Sequence, residues 1–414
     1  MQASRGSGMK DIVVVGGGQA GSSLVAKLRA LGFDGAVTLI CGEEVPPYQR
    51  PPLSKAYLLG EMAQDRLYLR PAGFYAERGI DLRLGRAAAS IDREAREVVL
   101  ADGDRIPYGQ LALTTGSRPR RLPEAAGGAL PGVFEVRTLR DVDGMAPAFV
   151  PGRRALIVGG GYIGLEAAAV AAKLGLRVTL VEAGERILGR VASPETADYF
   201  RALHRAHGVD IREGVGLERL VQGADGAVAE AKLADGTALP VDLAVVGIGI
   251  EPETGLARAA GLEVENGILV DACGRTSDPL IWAAGDCAVF PRGGAMLRLE
   301  SVQNAIDQAE AVAANMLGAD APYDPKPWFW SDQFDVKLQI AGLGTGHDRV
   351  VVRPGDRPGS ASHWYYAGDR LLALDAMNDP RAYMVGKRLI EAGRSPDPRS
   401  VADPATDLKA LLAA

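Results

Sequence analysis

The sequence predicts an α/β protein in which one βαβ unit is built twice, followed by a C-terminal α+β domain. Three observations predict it. An apolar run that ends in glycines and leads into a helical pattern starts at Ile12, and nearly the same letters return at Ala155. A second apolar run closes each copy. From Pro322 onward apolar and polar residues alternate, the period of antiparallel strands, before a helical pattern resumes. At roughly 150 residues per domain, a chain of 414 residues has room for two or three.

The two copies align closely. Residues 12–18 read Ile-Val-Val-Val-Gly-Gly-Gly, and residues 155–161 read Ala-Leu-Ile-Val-Gly-Gly-Gly. Gly21 matches Gly164 and Leu31-Gly32 matches Leu174-Gly175 at one constant offset, after which Val37–Ile40 matches Val178–Val181 with two residues deleted. Each copy therefore carries GxGxxG between a strand and a helix: Gly16, Gly18, Gly21 and Gly159, Gly161, Gly164. One glycine makes the tight turn, one lets a pyrophosphate approach the backbone, and one lets helix and strand pack closely. The helix N-terminus supplies amide donors to the phosphates. Both units are thus read as Rossmann-like dinucleotide-binding domains.

An acid about 20 residues past the first glycine binds the adenosine ribose. In the second copy this is Glu182, which accepts from a free 2′-hydroxyl and repels a 2′-phosphate, favouring NAD(H). The first copy has Cys41 in that slot, with acids only at Glu43 and Glu44; Glu43 is the expected ribose acid. Two dinucleotide sites suggest one fixed and one exchanging cofactor, and FAD with NADH is the economical pair. Two nicotinamides are the alternative. Residues 276–286 favour flavin: an apolar strand ends at Gly285-Asp286, where an acid can bind the ribityl chain. Leu111–Gly116 is a further apolar strand ending at glycine.

Composition excludes several classes. A net charge of −6 argues against a nucleic-acid binder working through a global basic field. No apolar run reaches the length of a membrane helix, and Met1–Lys10 lacks a signal-like apolar stretch, so a cytoplasmic location is expected. The three cysteines, Cys41, Cys273 and Cys287, stand apart with no CxxC, which argues against a dithiol relay and against a resident iron–sulfur cluster. Of the four histidines, His204 and His207 share helical spacing, but a solvated face is expected there rather than a metal site.

At this point motifs accumulate that resemble a known family. They are Arg50-Pro51-Pro52-Leu53-Ser54-Lys55, Gly160-Gly161-Tyr162-Ile163-Gly164-Leu165-Glu166, Thr276–Asp286, Glu300-Ser301-Val302, and Trp328-Phe329-Trp330-Ser331-Asp332-Gln333. Nearly the whole chain is similar to the FAD-dependent NADH:ferredoxin reductases of oxygenase systems, the type of the putidaredoxin, rhodocoxin and dioxygenase reductases. The resemblance implies a glutathione-reductase-like pair of nucleotide domains and places FAD against Gly16, Gly18, Ala20, Gly21, Glu43, Arg50, Lys55, Ala88, Arg137, Asp286 and Val302. It implies NADH against Gly159, Gly161, Tyr162, Ile163, Gly164, Glu182, Arg190 and the turn Gly247-Ile248-Gly249. Lys55 and Glu166 are implied as a pair orienting the reacting rings, and Trp330 as an aromatic against the flavin; these three are the expected catalytic residues.

With no thiol pair or cluster to receive them, electrons entering as hydride must leave for an external carrier. A separate [2Fe–2S] ferredoxin fits, itself feeding a cytochrome P450 or a Rieske-type oxygenase. Alternatives are a rubredoxin reductase, an NADH oxidase, or a signalling flavoprotein resembling apoptosis-inducing factor. Arg66, Arg70, Arg292, Arg298, Lys326 and Lys337 are the expected basic residues for steering an acidic carrier. The expected organisation is an FAD domain of residues 10–119 and 247–321, an NAD domain of 120–246 inserted in it, and a C-terminal domain of 322–414. That last domain is expected to hold strands at Val336–Ile340, Arg349–Val352, His363–Tyr366 and Arg370–Asp375, then helices at Pro380–Ala392 and 403–413.

Overall fold

The structure is a computed structural model that describes residues 11–412. The first residue of the expected FAD domain, Lys10, and the last of the expected final helix, Ala413, lie outside these residues. The chain packs as two compact units. One holds the described residues up to Gln49, then Gln64–Arg118 and Glu251–Pro325. The other holds Arg50–Ala63, Pro119–Ile250 and the described residues from Lys326 on.

A five-stranded parallel sheet organises the first unit, in the order Ile281–Ala283, Gln110–Leu113, Ile12–Val15, Val37–Ile40, Ile80–Arg83. Strand Ile12–Val15 is buried along its whole length, which is why it reads as a continuous apolar run rather than an alternating one. Helices Gln19–Ala30 and Val302–Met316 supply Leu24, Val25, Leu28, Ala309, Val312 and Ala313 to the core over it. A three-stranded antiparallel sheet of Ala88–Asp92, Glu97–Leu100 and Arg105–Pro107 belongs to the same unit.

In the second unit the repeated βαβ copy forms its own five-stranded parallel sheet, ordered Asp210–Glu213, Arg177–Glu182, Arg154–Val158, Leu243–Val246, Val133–Phe134. Beyond it lies an antiparallel sheet ordered Trp328–Gln333, Val336–Gly342, Arg370–Met377, Ala361–Ala367, Arg349–Pro354. The four expected strands appear, each longer than its alternating core, and Trp328–Gln333 adds a fifth at the edge. Helix Pro380–Glu391 packs Val385 and Leu389 against Trp364, Tyr366 and Leu374 of this sheet. The expected second helix is displaced. The chain is helical at Pro398–Ala402, where Pro398 opens the turn and Asp397 caps it. It turns at Asp403-Pro404 and returns only to a short 3-10 turn at Ala410–Leu412. Arg353 fixes that turn by donating to the carbonyls of Val401, Asp403, Pro404 and Thr406.

Candidate functional site

The two glycine loops have the same construction, one in each unit. Gly16 has φ +118°, and a Cβ there would lie 2.2 Å from the Thr114 carbonyl oxygen. Gly159 has φ +104°, with a Cβ 2.4 Å from the Gly247 carbonyl. Gly21 and Gly164 sit one turn into their helices, where a Cβ would fall 2.0 Å from the carbonyls of Gly16 and Gly159 respectively. Turn geometry and helix–strand packing thus account for four of the six glycines.

They do not account for Gly18 and Gly161. Both have negative φ, −91° and −79°, in extended conformations that any residue adopts. A Cβ on either meets no protein atom within 4 Å. Both are helix N-caps with no side chain bonded to the first-turn amides. By contrast Thr138, Ser193, Ser301 and Asp379 cap their helices through a side-chain oxygen. Two helix N-termini therefore present unsatisfied amides and a positive dipole end behind a residue with no side chain. This cradle fits the pyrophosphate of a dinucleotide in each unit.

Around the first loop, the Thr114 hydroxyl donates to the Val15 and Gly16 carbonyls at 3.1 and 2.9 Å. Gly285, φ +84°, brings its backbone to Ala20, where a Cβ on Gly285 would lie 3.1 Å from the Ala20 Cβ. The Ser117 hydroxyl donates to Asp286 at 2.9 Å. Gly16, Ala20, Gly21 and Asp286 thus gather at the carboxyl ends of the parallel strands, the ligand side of an open α/β sheet. Glu43 lies past strand Val37–Ile40 and accepts from the Tyr48 hydroxyl at 2.6 Å. Ala88 opens an antiparallel strand, and Val302 is the first residue of its helix.

The odd slot at Cys41 has a physical explanation. A Cβ on Gly17 would lie 2.2 Å from the Cys41 sulfur, so the thiol packs against the loop. In the second copy the same place is taken by Glu182, whose Oε2 lies 3.2 Å from a Cβ built on Gly160. Glu182 accepts from the amides of Gly160 and Gly184, both at 2.7 Å. One copy braces its loop with sulfur, the other with a carboxylate. Burial, then the Glu43 charge, pushes the Cys41 thiol up to about 12. Cys287 is raised by burial, and Cys273 is also held as the thiol. All three are free thiols of the protonated kind, the opposite of an activated thiolate.

The rest of the second-loop set is partly turned inward. Tyr162 packs on Phe329 with centroids 4.9 Å apart and ring planes tilted by 38°, and its hydroxyl is buried without a protein partner. Burial, with Asp375 and Tyr365 nearby, holds that phenol well above its usual range. Ile163 is 45% exposed. Arg190 reaches to 3.3 Å from a Cβ placed on Gly249.

Lys55 and Glu166 meet in the second unit, Nζ to Oε1 at 2.9 Å. Glu166 lies on helix Tyr162–Lys173 and is only 2% exposed. It also accepts from Ser54 at 2.8 Å on Oε2 and from Ser331 at 2.7 Å on Oε1. Ser54 and Ser331 both lie inside motifs given above without a role there; an acid in an otherwise apolar helix is the signal in the sequence that such partners are needed. Arg50 donates to the Arg137 carbonyl at 2.5 Å, so these two expected FAD residues also meet in this unit. Trp330 is half-buried, tilted 32° to Trp328 at 5.6 Å.

Two expectations need correction. His204 is fully buried rather than solvated, because its ring fills the core under the aromatic strand: Nε2 bonds Gln333 at 2.9 Å, and the ring meets Phe334 edge-on. His207 is the exposed member and stacks on Phe334 at 3.8 Å. Arg298, expected as a surface steering charge, is largely buried instead. It is drawn inward by Glu300 at 2.6 Å and the Asp286 carbonyl at 3.2 Å.

Comparison with known proteins agrees with this geometry. Residues 10–309 match the family model described as pyridine nucleotide-disulphide oxidoreductase, and residues 328–412 match the one described as reductase C-terminal. The ferredoxin reductase subunit of 5,5'-dehydrodivanillate O-demethylase from Sphingobium is 45% identical over 98% of both chains. Rhodocoxin reductase from Rhodococcus erythropolis is 42% identical over 97% of this chain and 94% of its own. Among solved structures, the covalent putidaredoxin reductase–putidaredoxin complex superimposes with TM-score 0.94 at 40% identity, covering 98% of each chain.

Proposed function

The chain belongs to the pyridine nucleotide-disulphide oxidoreductases and, among them, to the ferredoxin reductases; on that premise we propose that it takes electrons from NADH and delivers them through bound FAD to a separate [2Fe–2S] ferredoxin of an oxygenase system. The observation that carries the reading is the pair Gly18 and Gly161, N-cap glycines that neither backbone strain nor protein packing requires and that leave the first-turn amides open to a ligand. When bound, FAD accepts a hydride and releases single electrons.

The chain's own part is binding and orientation. Gly16, Gly18, Ala20, Gly21, Glu43, Arg50, Lys55, Ala88, Arg137, Asp286 and Val302 are proposed for FAD. The second loop, with Tyr162, Ile163, Arg190, Gly247 and Gly249, is proposed to hold NADH. Glu182 is proposed to select NADH over NADPH, since its anchored carboxylate meets a 2′-phosphate with like charge. Lys55 and Glu166 are proposed to orient the reacting rings, and Trp330 to cover them. The three-domain division is likewise proposed: each sheet of the second unit has its own core, Leu156 and Val181 in one and Trp364 and Leu374 in the other. The oxygenase is proposed to be a cytochrome P450 or a Rieske enzyme. Among the described residues no helix is long and apolar enough to cross a membrane. A cytoplasmic site is proposed, in keeping with three free thiols.

One assay tests the whole. The FAD-loaded protein is mixed with NADH or NADPH, cytochrome c, and candidate ferredoxins. Cytochrome c reduction that depends on a ferredoxin and prefers NADH is expected. Rapid oxygen uptake without a carrier, equal use of both nicotinamides, or reduced protein indifferent to every ferredoxin would overturn the corresponding part.

A further inference from the structure

The segment Trp328–Gln333 is an edge strand, so its side chains alternate between two faces. Trp328, Trp330 and Asp332 share one face. Phe329, Ser331 and Gln333 share the other, where Ser331 and Gln333 are fully buried. That inward face is chained together. The Ser331 hydroxyl donates to Glu166 at 2.7 Å, Gln333 Nε2 donates to Ser331 Oγ at 3.2 Å, and Gln333 Oε1 lies 2.9 Å from His204 Nε2.

The direction of this chain is determined by its far end. Burial pushes the His204 imidazole down to about 4, so it is neutral and carries a single ring proton. Nδ1 is buried with no protein partner, and an N–H there would be left unsatisfied, so the proton sits on Nε2, where the Gln333 carbonyl accepts it. With Oε1 held by His204, the amide nitrogen must face Ser331, whose oxygen accepts and whose hydrogen points to Glu166. Turned over, Gln333 would offer its carbonyl to Ser331 and draw the hydroxyl away from the carboxylate. His204 therefore acts as a lock on the Gln333 amide. Every donor in the chain points toward one buried anion, which Ser54 and Lys55 bond as well.

Resting on the proposed role of the Lys55–Glu166 pair, we propose that Ser331, Gln333 and His204 are positioning residues: a directed hydrogen-bond chain that holds the Glu166 carboxylate in one rotamer and so holds Lys55 at a fixed place. This gives the aromatic motif a second task. Its tryptophans occupy one face, while Ser331 and Gln333 brace the ion pair from the other.

The test uses the FAD-loaded protein and rapid-mixing measurement of flavin reduction over a range of NADH concentrations. Ser331→Ala removes one donor to a charged acceptor and is expected to slow the limiting rate about tenfold while the NADH dissociation constant moves less than about twofold. Glu166→Gln is expected to be slow as well, and adding Ser331→Ala to it to cost nothing further, because Ser331 acts through Glu166. His204→Phe should slow reduction, and His204→Gln, which keeps an N–H donor, should restore it. An unchanged rate in Ser331→Ala, or the same loss in the Glu166→Gln background, overturns the proposal. A second readout needs no turnover. Acetylation of Lys55, followed by mass spectrometry, is expected to be several times faster in Ser331→Ala than in the parent, with other lysines unaltered; equal labelling overturns the proposal. A parent protein that NADH does not reduce would instead sink the functional reading, and the labelling result would still judge the chain.

Discussion

Replacing Gly161 with alanine separates what the fold needs from what a ligand needs. The new methyl group meets no protein atom within 4 Å, and the backbone at φ −79° and ψ 179° is open to alanine. Alanine is a poorer N-cap than glycine, but it also narrows the unfolded ensemble, and the two effects offset to within about 1 kcal/mol. The melting temperature should therefore hold to within a few degrees. Nucleotide binding should not. The methyl group stands where a pyrophosphate must come close to the first-turn amides, and losing a hydrogen bond to a charged group costs about 1.5–3 kcal/mol. That is about ten- to a hundredfold in dissociation constant. Titration with NAD⁺ by fluorescence or calorimetry, beside a thermal melt, reads both quantities. Gly164→Ala is the control: its Cβ would lie 2.0 Å from the Gly159 carbonyl oxygen, so it should destabilise the fold itself. Unchanged NAD⁺ affinity in a well-folded Gly161→Ala protein would refute the reasoning, as would a Gly164→Ala variant that melts like the parent.

Three further outcomes are expected. Glu182→Ala should narrow the NADH:NADPH preference at least tenfold through loss of the ribose contact and the like charge, as steady-state ratios of kcat/KM would read; an unchanged ratio removes Glu182 from cofactor choice. Asp286→Asn should weaken FAD retention, measured as flavin released on dilution, while Ser117→Ala has a smaller effect of the same sign, since the serine hydroxyl acts through its bond to the acid; the reverse order would count against Asp286 as a flavin ligand. Asp375 is buried, and burial raises its carboxyl to about 6, against hydrogen bonds from Tyr365 and from Thr196 at 2.7 Å. Because the folded state binds the proton more tightly than the unfolded one, its contribution is fully present below about pH 4 and is lost as pH rises through about 6. The loss is about 3 kcal/mol for a shift of this size. Asp375→Asn should accordingly gain stability relative to the parent between pH 4.5 and 7, and a difference in melting temperature independent of pH would contradict that.

The parts of this protein legible in the sequence are those governed by local rules. A parallel strand buried on both faces has to be continuously apolar, so Ile12–Val15 and the run from Ala155 to Val158 announce themselves. A tight turn and a close helix need glycine, so the loops repeat their letters. Alternation marks the C-terminal strands for the same reason. The final helix was misplaced because Leu408, Leu411 and Leu412 have helical spacing whether or not a helix forms, and contacts with Arg353 and the Trp364–Leu374 core override it.

What the sequence determined by itself was the doubled dinucleotide-binding unit, the family, and the kind of chemistry, because each depends on residues close together in the chain. Only the tertiary structure decided what surrounds Glu166. Ser54, His204 and Ser331 come from three distant segments. No spacing rule links them, since the link is the requirement that a buried carboxylate find donors wherever the fold can bring them. The same requirement moved His204 from an expected solvated face into the core, where its one ring proton directs the chain of donors that ends on that carboxylate.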